Sequence, residues 1–144
     1  MPKPTDVFVS SPIAAFFVAR EVRQEPHGSI DVIGLCDAIV VGEVPARFPI
    51  MFYMEVLDDS RKAHGALSIR HSAEAAPTWS RVVAMIGESR LLRQRLRETL
   101  HLHRTGVYIA RFSVGRVSVE RELWVRIEPL PPQAPTSQTV DQTP

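Results

Sequence analysis

Alternation of apolar and polar residues over Gly106–Ile127 predicts a β-hairpin whose two strands support each other. The halves flank Gly115-Arg116, and a two-residue loop with Gly first is typical of a type II′ turn. Folding on that loop opposes large apolar residues on one face, in the pairs Val114–Val117, Phe112–Val119 and Tyr108–Leu123. On the other face Arg111 meets Glu120, a favourable pair. A one-residue slip would place apolar side chains against charges, so the register is well specified.

Shorter segments of the same kind precede the hairpin. They predict strands at 13–24, 29–41, 48–57, 67–70 and 79–86, separated by turns and loops that contain Gly, Pro or polar residues. The 29–41 segment is apolar at odd and even positions alike, which is typical of a central strand covered on both faces. Gly34 within it indicates a bulge or a close backbone approach.

Residues 88–103 fit two patterns. Leu92, Leu96 and Leu100 recur every four residues among good helix formers, which favours a helix. The same leucines and Leu102 occupy even positions while the odd positions 93–103 are polar, as in a half-buried strand. We predict a strand from about Leu96 onward and leave open one short helix near 88–95.

Several short strands without βαβ alternation predict an all-β fold, a two-sheet antiparallel sandwich. Three parts of the chain carry a further likeness: 28–35, the Phe48-Pro49 entry to the next strand, and 106–112 with its hairpin. Their pattern resembles a family of uncharacterised bacterial Ig-like β-sandwich proteins. The resemblance implies an Ig-like sandwich of about seven to eight strands, and it carries a fold rather than an activity. We predict this domain over 13–128, between a loose lead-in at 1–12 and a disordered Pro-rich tail at 129–144.

The composition is that of an ordinary globular domain, with 44% hydrophobic and 23% charged residues in 144. A net charge of +1 argues against a protein dominated by polyanion binding. The single cysteine, Cys36, excludes an internal disulfide, and its apolar surroundings predict a buried structural role. The apolar run at 7–19 is interrupted by Ser10, Ser11 and Pro12, unlike a signal sequence, so we expect a cytoplasmic protein.

A row of basic residues is the most distinctive functional candidate. In a strand, Arg93, Arg95 and Arg97 lie on one face about 6.6 Å apart, with His101 and His103 beyond them. Such a row can present donors to a phosphate backbone, so these five residues are candidate contacts to a polyanion or a partner. No stacking aromatics accompany them, which favours a solvated face or one that pairs with acidic residues of a partner.

Catalytic motifs are absent from the sequence, which has no Gly-rich phosphate loop and no nucleophile elbow. Zinc binding by His101 and His103 would need further ligands, such as His64, His71 or Asp37, brought in by folding. We predict no enzyme activity, no cofactor and no metal. The predicted function is binding to a protein partner or membership of an assembly, with nucleic-acid or polyanion binding as the alternative. A sugar- or small-ligand-binding sandwich would need an exposed aromatic platform, for which Trp79 and Trp124 are the candidates.

Overall fold

The structure of the protein is a computed structural model that describes residues 12–128. These residues form nine strands and no helix. The strands are β1 (Ile13–Gln24), β2 (Ile30–Leu35), β3 (Ala38–Val41), β4 (Ala46–Leu57), β5 (Lys62–His71), β6 (Trp79–Ile86), β7 (Leu91–Leu102), β8 (Gly106–Val114) and β9 (Val117–Ile127). The all-β prediction is confirmed, with nine strands in place of seven or eight. Residues 1–11 of the predicted lead-in at 1–12, and the predicted tail at 129–144, lie outside the described residues.

The strands form two sheets. Sheet A has four strands in the order β2-β1-β4-β7, and sheet B has five in the order β3-β9-β8-β5-β6 and curls into a half-barrel. The pairings are antiparallel except that between β3 and β9, which is parallel. A fully antiparallel arrangement is therefore wrong at one pair, because the chain leaves sheet A after β2 and joins the edge of sheet B alongside β9.

The β8–β9 hairpin has the predicted register. Val114 lies opposite Val117, and the pairing continues to Tyr108 opposite Leu123, both of which are fully buried. Only Gly115 of the two loop residues has a positive φ, +60°, as a type II′ turn requires. The Gly115-Arg116 loop thus predicts the turn, and the alternation predicts the buried face of this hairpin.

The helix left open near 88–95 is not formed. Leu91–Leu102 is one strand, paired with β4 along its whole length from Leu57–Leu91 to Ala46–Leu102. Leucines spaced by four residues fit either structure, so the neighbouring strand decides. Pairing with β4 supplies backbone hydrogen-bond partners and buries Leu92, Leu100 and Leu102 in the core.

Residues 29–41 are not one central strand. The chain changes sheets at Cys36-Asp37, so β2 becomes an edge of sheet A and β3 an edge of sheet B. The close approach at Gly34 is made by a side chain, because a Cβ there would lie 2.9 Å from Arg20 Cδ, and the φ of Gly34 is +68°. The apolar pattern that indicates one covered strand therefore belongs to two edge strands, of which β2 is exposed on both faces and β3 buries Ile39 and Val41.

The core between the sheets is aromatic at its centre. Phe52 stacks on Phe16 with ring centroids 6.2 Å apart and on Trp79 at 5.4 Å, and Phe16 contacts Phe112 at 5.6 Å. A second, smaller cluster lies on the outer face of sheet A and contains Ala19, Val22, Met51 and Tyr53. Sheet A thus has buried apolar residues on both faces around β1 and β4, so other side chains must shield its outer face from water.

Candidate functional site

The arginine row of β7 lies on the outer face of sheet A. Arg93, Arg95 and Arg97 are exposed and face three residues of β4 across the sheet, in the pairs Arg93–Glu55, Arg95–Tyr53 and Arg97–Met51. The predicted placement of the three arginines on one face is confirmed.

Arg93 and Arg95 are engaged within the protein. Arg93 donates from Nη1 to the Gly28 carbonyl at 2.8 Å, and its Nε lies 3.3 Å from Glu55 Oε2. Arg95 donates from Nη1 to the Val22 carbonyl at 3.1 Å. Val22 belongs to β1 and Gly28 to the turn that follows it, so both side chains extend across β4 to hold the β1–β2 hairpin.

Tyr53 is buried in the outer cluster of sheet A, in the same register as Arg95. Its ring stacks on Phe17 with centroids 6.3 Å apart, and its hydroxyl donates to the Glu55 carboxylate. Burial, followed by that hydrogen bond, raises the pKa of Tyr53. The long side chains of Arg93 and Arg95 therefore serve as part of the cover over this cluster.

Nucleic-acid or polyanion binding through Arg93, Arg95 and Arg97 stays a prediction. A phosphate approaching Arg93 or Arg95 would compete with a backbone carbonyl, and at Arg93 also with the Glu55 carboxylate. The Arg97 side chain makes no hydrogen bond or ion pair with any other residue in 12–128. The row therefore offers one unengaged guanidinium group rather than three.

His101 and His103 have different surroundings. His103 Nε2 lies 2.8 Å from Glu74 Oε2, and its Nδ1 lies 3.3 Å from the Tyr108 hydroxyl. The hydrogen bond from His103, with a contribution from Arg104, holds the pKa of Glu74 below its ordinary value. His101 has no such partner among the described residues, and it lines a cleft with Arg47. Within 12–128, no group of three or more His, Cys, Asp or Glu side chains is arranged to hold a metal ion.

Tyr108 fixes the connection between β7 and β8. Its hydroxyl donates to the Arg104 carbonyl at 3.0 Å and accepts from the Arg104 N–H at 3.2 Å. The buried His71 packs edge-on against the Tyr108 ring, with centroids 4.9 Å apart. His71 accepts from the Ala73 N–H at Nδ1, so its Nε2 donates to the Thr105 carbonyl at 2.8 Å. With both ring nitrogens bonded, His71 is a structural residue of this corner.

Most of the exposed large apolar side chains lie along one side of the molecule. Six of the nine within 12–128 belong to β2, to β3 or to the part of β9 beside β3. We call these six the split edge: Val32, Ile33, Leu35, Val40, Trp124 and Ile127. Leu35 and Trp124 are each 57% exposed. Of the two tryptophans, Trp124 is thus the available platform, since Trp79 is stacked on Phe52 in the core.

A cleft of about 120 Å³ interrupts the split edge where the chain crosses between sheets. Its apolar part is formed by Phe17 and Leu35, with the buried Val18 and Cys36 beneath them. The exposed Asp37 and Glu122 line it with no ion pair to a described residue. Arg121 also lines the cleft, but its guanidinium donates to the Phe16 and Glu120 carbonyls. We call this the crossover cleft. Because two carboxylates and one guanidinium line the cleft, its net formal charge is negative.

Cys36 is buried beside the crossover cleft, as its apolar surroundings predict. Burial raises the pKa of its thiol, which disfavours the reactive thiolate form.

Comparison with known proteins does not assign a function. No known protein family matches the chain, and a search of curated proteins finds no significant similarity. The resemblance to Ig-like bacterial proteins therefore stays a prediction. Within 12–128 there is no helix with the length and apolar character needed to cross a membrane.

Proposed function

We propose that this protein is a non-enzymatic Ig-like β-sandwich module that binds another protein along the split edge. The observation that carries the proposal is the position of 30–41, a segment with the apolar pattern of a covered strand that forms edges of both sheets and leaves Val32, Ile33, Leu35 and Val40 exposed. An unpaired strand edge presents backbone donors and acceptors, and a partner strand can bind there by extending the sheet. The apolar side chains on both faces of β2 would then gain the cover that their sequence indicates.

The Ig-like part of the proposal is supported by strand order. In sheet B the order β9-β8-β5-β6 follows strands G-F-C-C′ of an Ig domain, and in sheet A β4 and β7 pair as strands B and E do. Tyr108 lies at the start of the strand equivalent to F, and its hydroxyl bonds the backbone four residues upstream. That arrangement resembles the tyrosine corner of Ig-like sandwiches and supports the proposed class.

The crossover cleft supports a partner with a basic side chain. Asp37 and Glu122 are unpaired carboxylates beside an apolar floor, and that combination suits the alkyl stem and charged head of Lys or Arg. Trp124 adds an exposed aromatic face on which a cation can stack. We therefore infer an extended partner segment that alternates apolar and basic residues.

The proposal predicts that Leu35→Lys weakens partner binding by about tenfold or more, because it places a charge in the apolar surface that must be buried. The partner would be recovered from an extract of the source cells, purified, and titrated by calorimetry. Ile86→Lys is the matched control, since Ile86 is 75% exposed on β6, the far edge of sheet B. Loss of binding in the control together with full binding by the Leu35→Lys variant would overturn the proposed surface.

A further inference from the structure

A second cleft, of about 300 Å³, lies at the end of sheet A where β4 begins and β7 ends. It is lined by Pro45, Ala46, Arg47, His101, Leu102 and His103. It lies on β7, whereas the split edge starts on β2, so the two candidate sites belong to opposite edges of sheet A. Its volume is at the lower end of the range for small-molecule sites.

Arg47 and His101 form an unsatisfied cross-strand pair in this cleft. They are directly opposed in the β4–β7 register, where Cβ atoms lie about 5 Å apart. Neither side chain makes a hydrogen bond or ion pair with another residue in 12–128. Two basic side chains opposed in this way repel each other when the imidazole is charged, and an anion bound between them would remove that repulsion.

His103 completes the basic lining from a fixed position. Its ring is held between the Glu74 carboxylate and the Tyr108 hydroxyl, and Arg104 lies 3.5 Å from the same carboxylate. Glu74 is the acidic partner of His103 and Arg104, whereas Arg47 and His101 have no acidic partner among the described residues. The positive charge of Arg47 is therefore not offset by a carboxylate in this cleft.

We propose that this cleft binds the phosphate group of a small phosphate monoester. The planar Arg47 guanidinium can donate two parallel hydrogen bonds to phosphate oxygens, and His101 can donate a third. The exposed Pro45 ring would receive the organic part of the ester, whereas the Ala46 and Leu102 side chains face the core. This site is separate from the proposed protein-binding surface and does not depend on it.

Calorimetric titration of the full chain with phenyl phosphate and with inorganic phosphate tests the proposal. We expect phenyl phosphate to bind with a dissociation constant of about 1 mM or below, and more tightly than inorganic phosphate. Arg47→Gln and His101→Gln should each weaken binding, the first by about tenfold or more. Arg116→Gln is the matched control, since it removes the same charge from the exposed β8–β9 loop and should leave binding unchanged.

Arg47 and His101 are exposed, so the variants should unfold at the wild-type temperature, which a thermal melt checks. Absence of phenyl phosphate binding, or equal affinity in wild type and Arg47→Gln, would overturn the site. Loss of binding in Arg116→Gln as well would show attraction by overall charge and would also overturn it. Equal affinity for the two phosphates would refute the assignment of a monoester.

Discussion

Replacing Tyr108 with Phe should lower the free energy of unfolding by about 1–3 kcal/mol. The substitution keeps the buried ring and removes only the hydroxyl, which bonds both the N–H and the carbonyl of Arg104. Those two backbone groups would lose their partner in the connection from β7 to β8, which joins the two sheets. Urea unfolding followed by tryptophan fluorescence measures the change.

The other tyrosine within the described residues provides the control. Tyr53 is also buried, but its hydroxyl bonds the side chain of Glu55, which keeps Arg93 as a partner when the hydroxyl is lost. Tyr53→Phe should therefore destabilise the protein less than Tyr108→Phe does. Equal losses of stability in the two variants, or no loss in Tyr108→Phe, would mean that the bonds of the Tyr108 hydroxyl to Arg104 make no special contribution to stability.

Arg95→Ala should lower the free energy of unfolding by about 1–2 kcal/mol. It removes the hydrogen bond to the Val22 carbonyl and part of the cover over Tyr53. Arg97→Ala removes the same side chain from the same face, but Arg97 has no bonded partner in 12–128. We expect it to change stability by less than about 0.5 kcal/mol, measured in the same urea titration.

The stabilities of Arg95→Ala and Arg97→Ala together distinguish a structural role of the arginine row from a purely solvated one. A larger loss in Arg95→Ala indicates that the side chain holds the β1–β2 hairpin to sheet A. Indistinguishable variants would argue that the row is a solvated charged face, as the sequence pattern alone favours.

Sequence predicted the elements whose structure is decided locally. The β8–β9 register follows from alternation and the Gly115 turn, and both strands are continuous in the chain. The 88–95 segment could not be assigned, because leucines four residues apart fit a helix and a strand equally until β4 pairs with them. Because β4 is more than 30 residues away in the sequence, its pairing with β7 leaves no pattern within 88–95 itself.

The edge position of 30–41 also depends on the rest of the chain. Apolar residues on both faces are typical of a central strand, and only the crossover at Cys36-Asp37 makes this segment the edge of two sheets. Asp37 was the available signal, since a carboxylate in an otherwise apolar run marks a break in a buried strand.

The candidate sites were predicted in part. Arg93, Arg95, Arg97 and His101 lie on one face of β7 as predicted, whereas His103 follows the end of the strand and contacts Glu74 and Tyr108. The partners of Arg93 and Arg95 lie in β1 and in the turn after it, which spacing along β7 does not indicate. Arg47 gave no signal because it enters a cleft with His101 only through the β4–β7 register. Sequence spacing placed the side chains on a face, and sheet pairing decided which of them remain unengaged.

Photo-crosslinking from position 35 tests the central claim, that the split edge is the binding surface, most directly. A photoreactive amino acid would replace Leu35 in one variant and Ile86 in another, since both side chains are exposed, Leu35 on the edge strand β2 of sheet A and Ile86 on the edge strand β6 of sheet B. We predict that position 35 crosslinks a partner through an extended segment with apolar and basic residues, identified by mass spectrometry, and that position 86 does not. Crosslinks from position 86 alone would contradict the account.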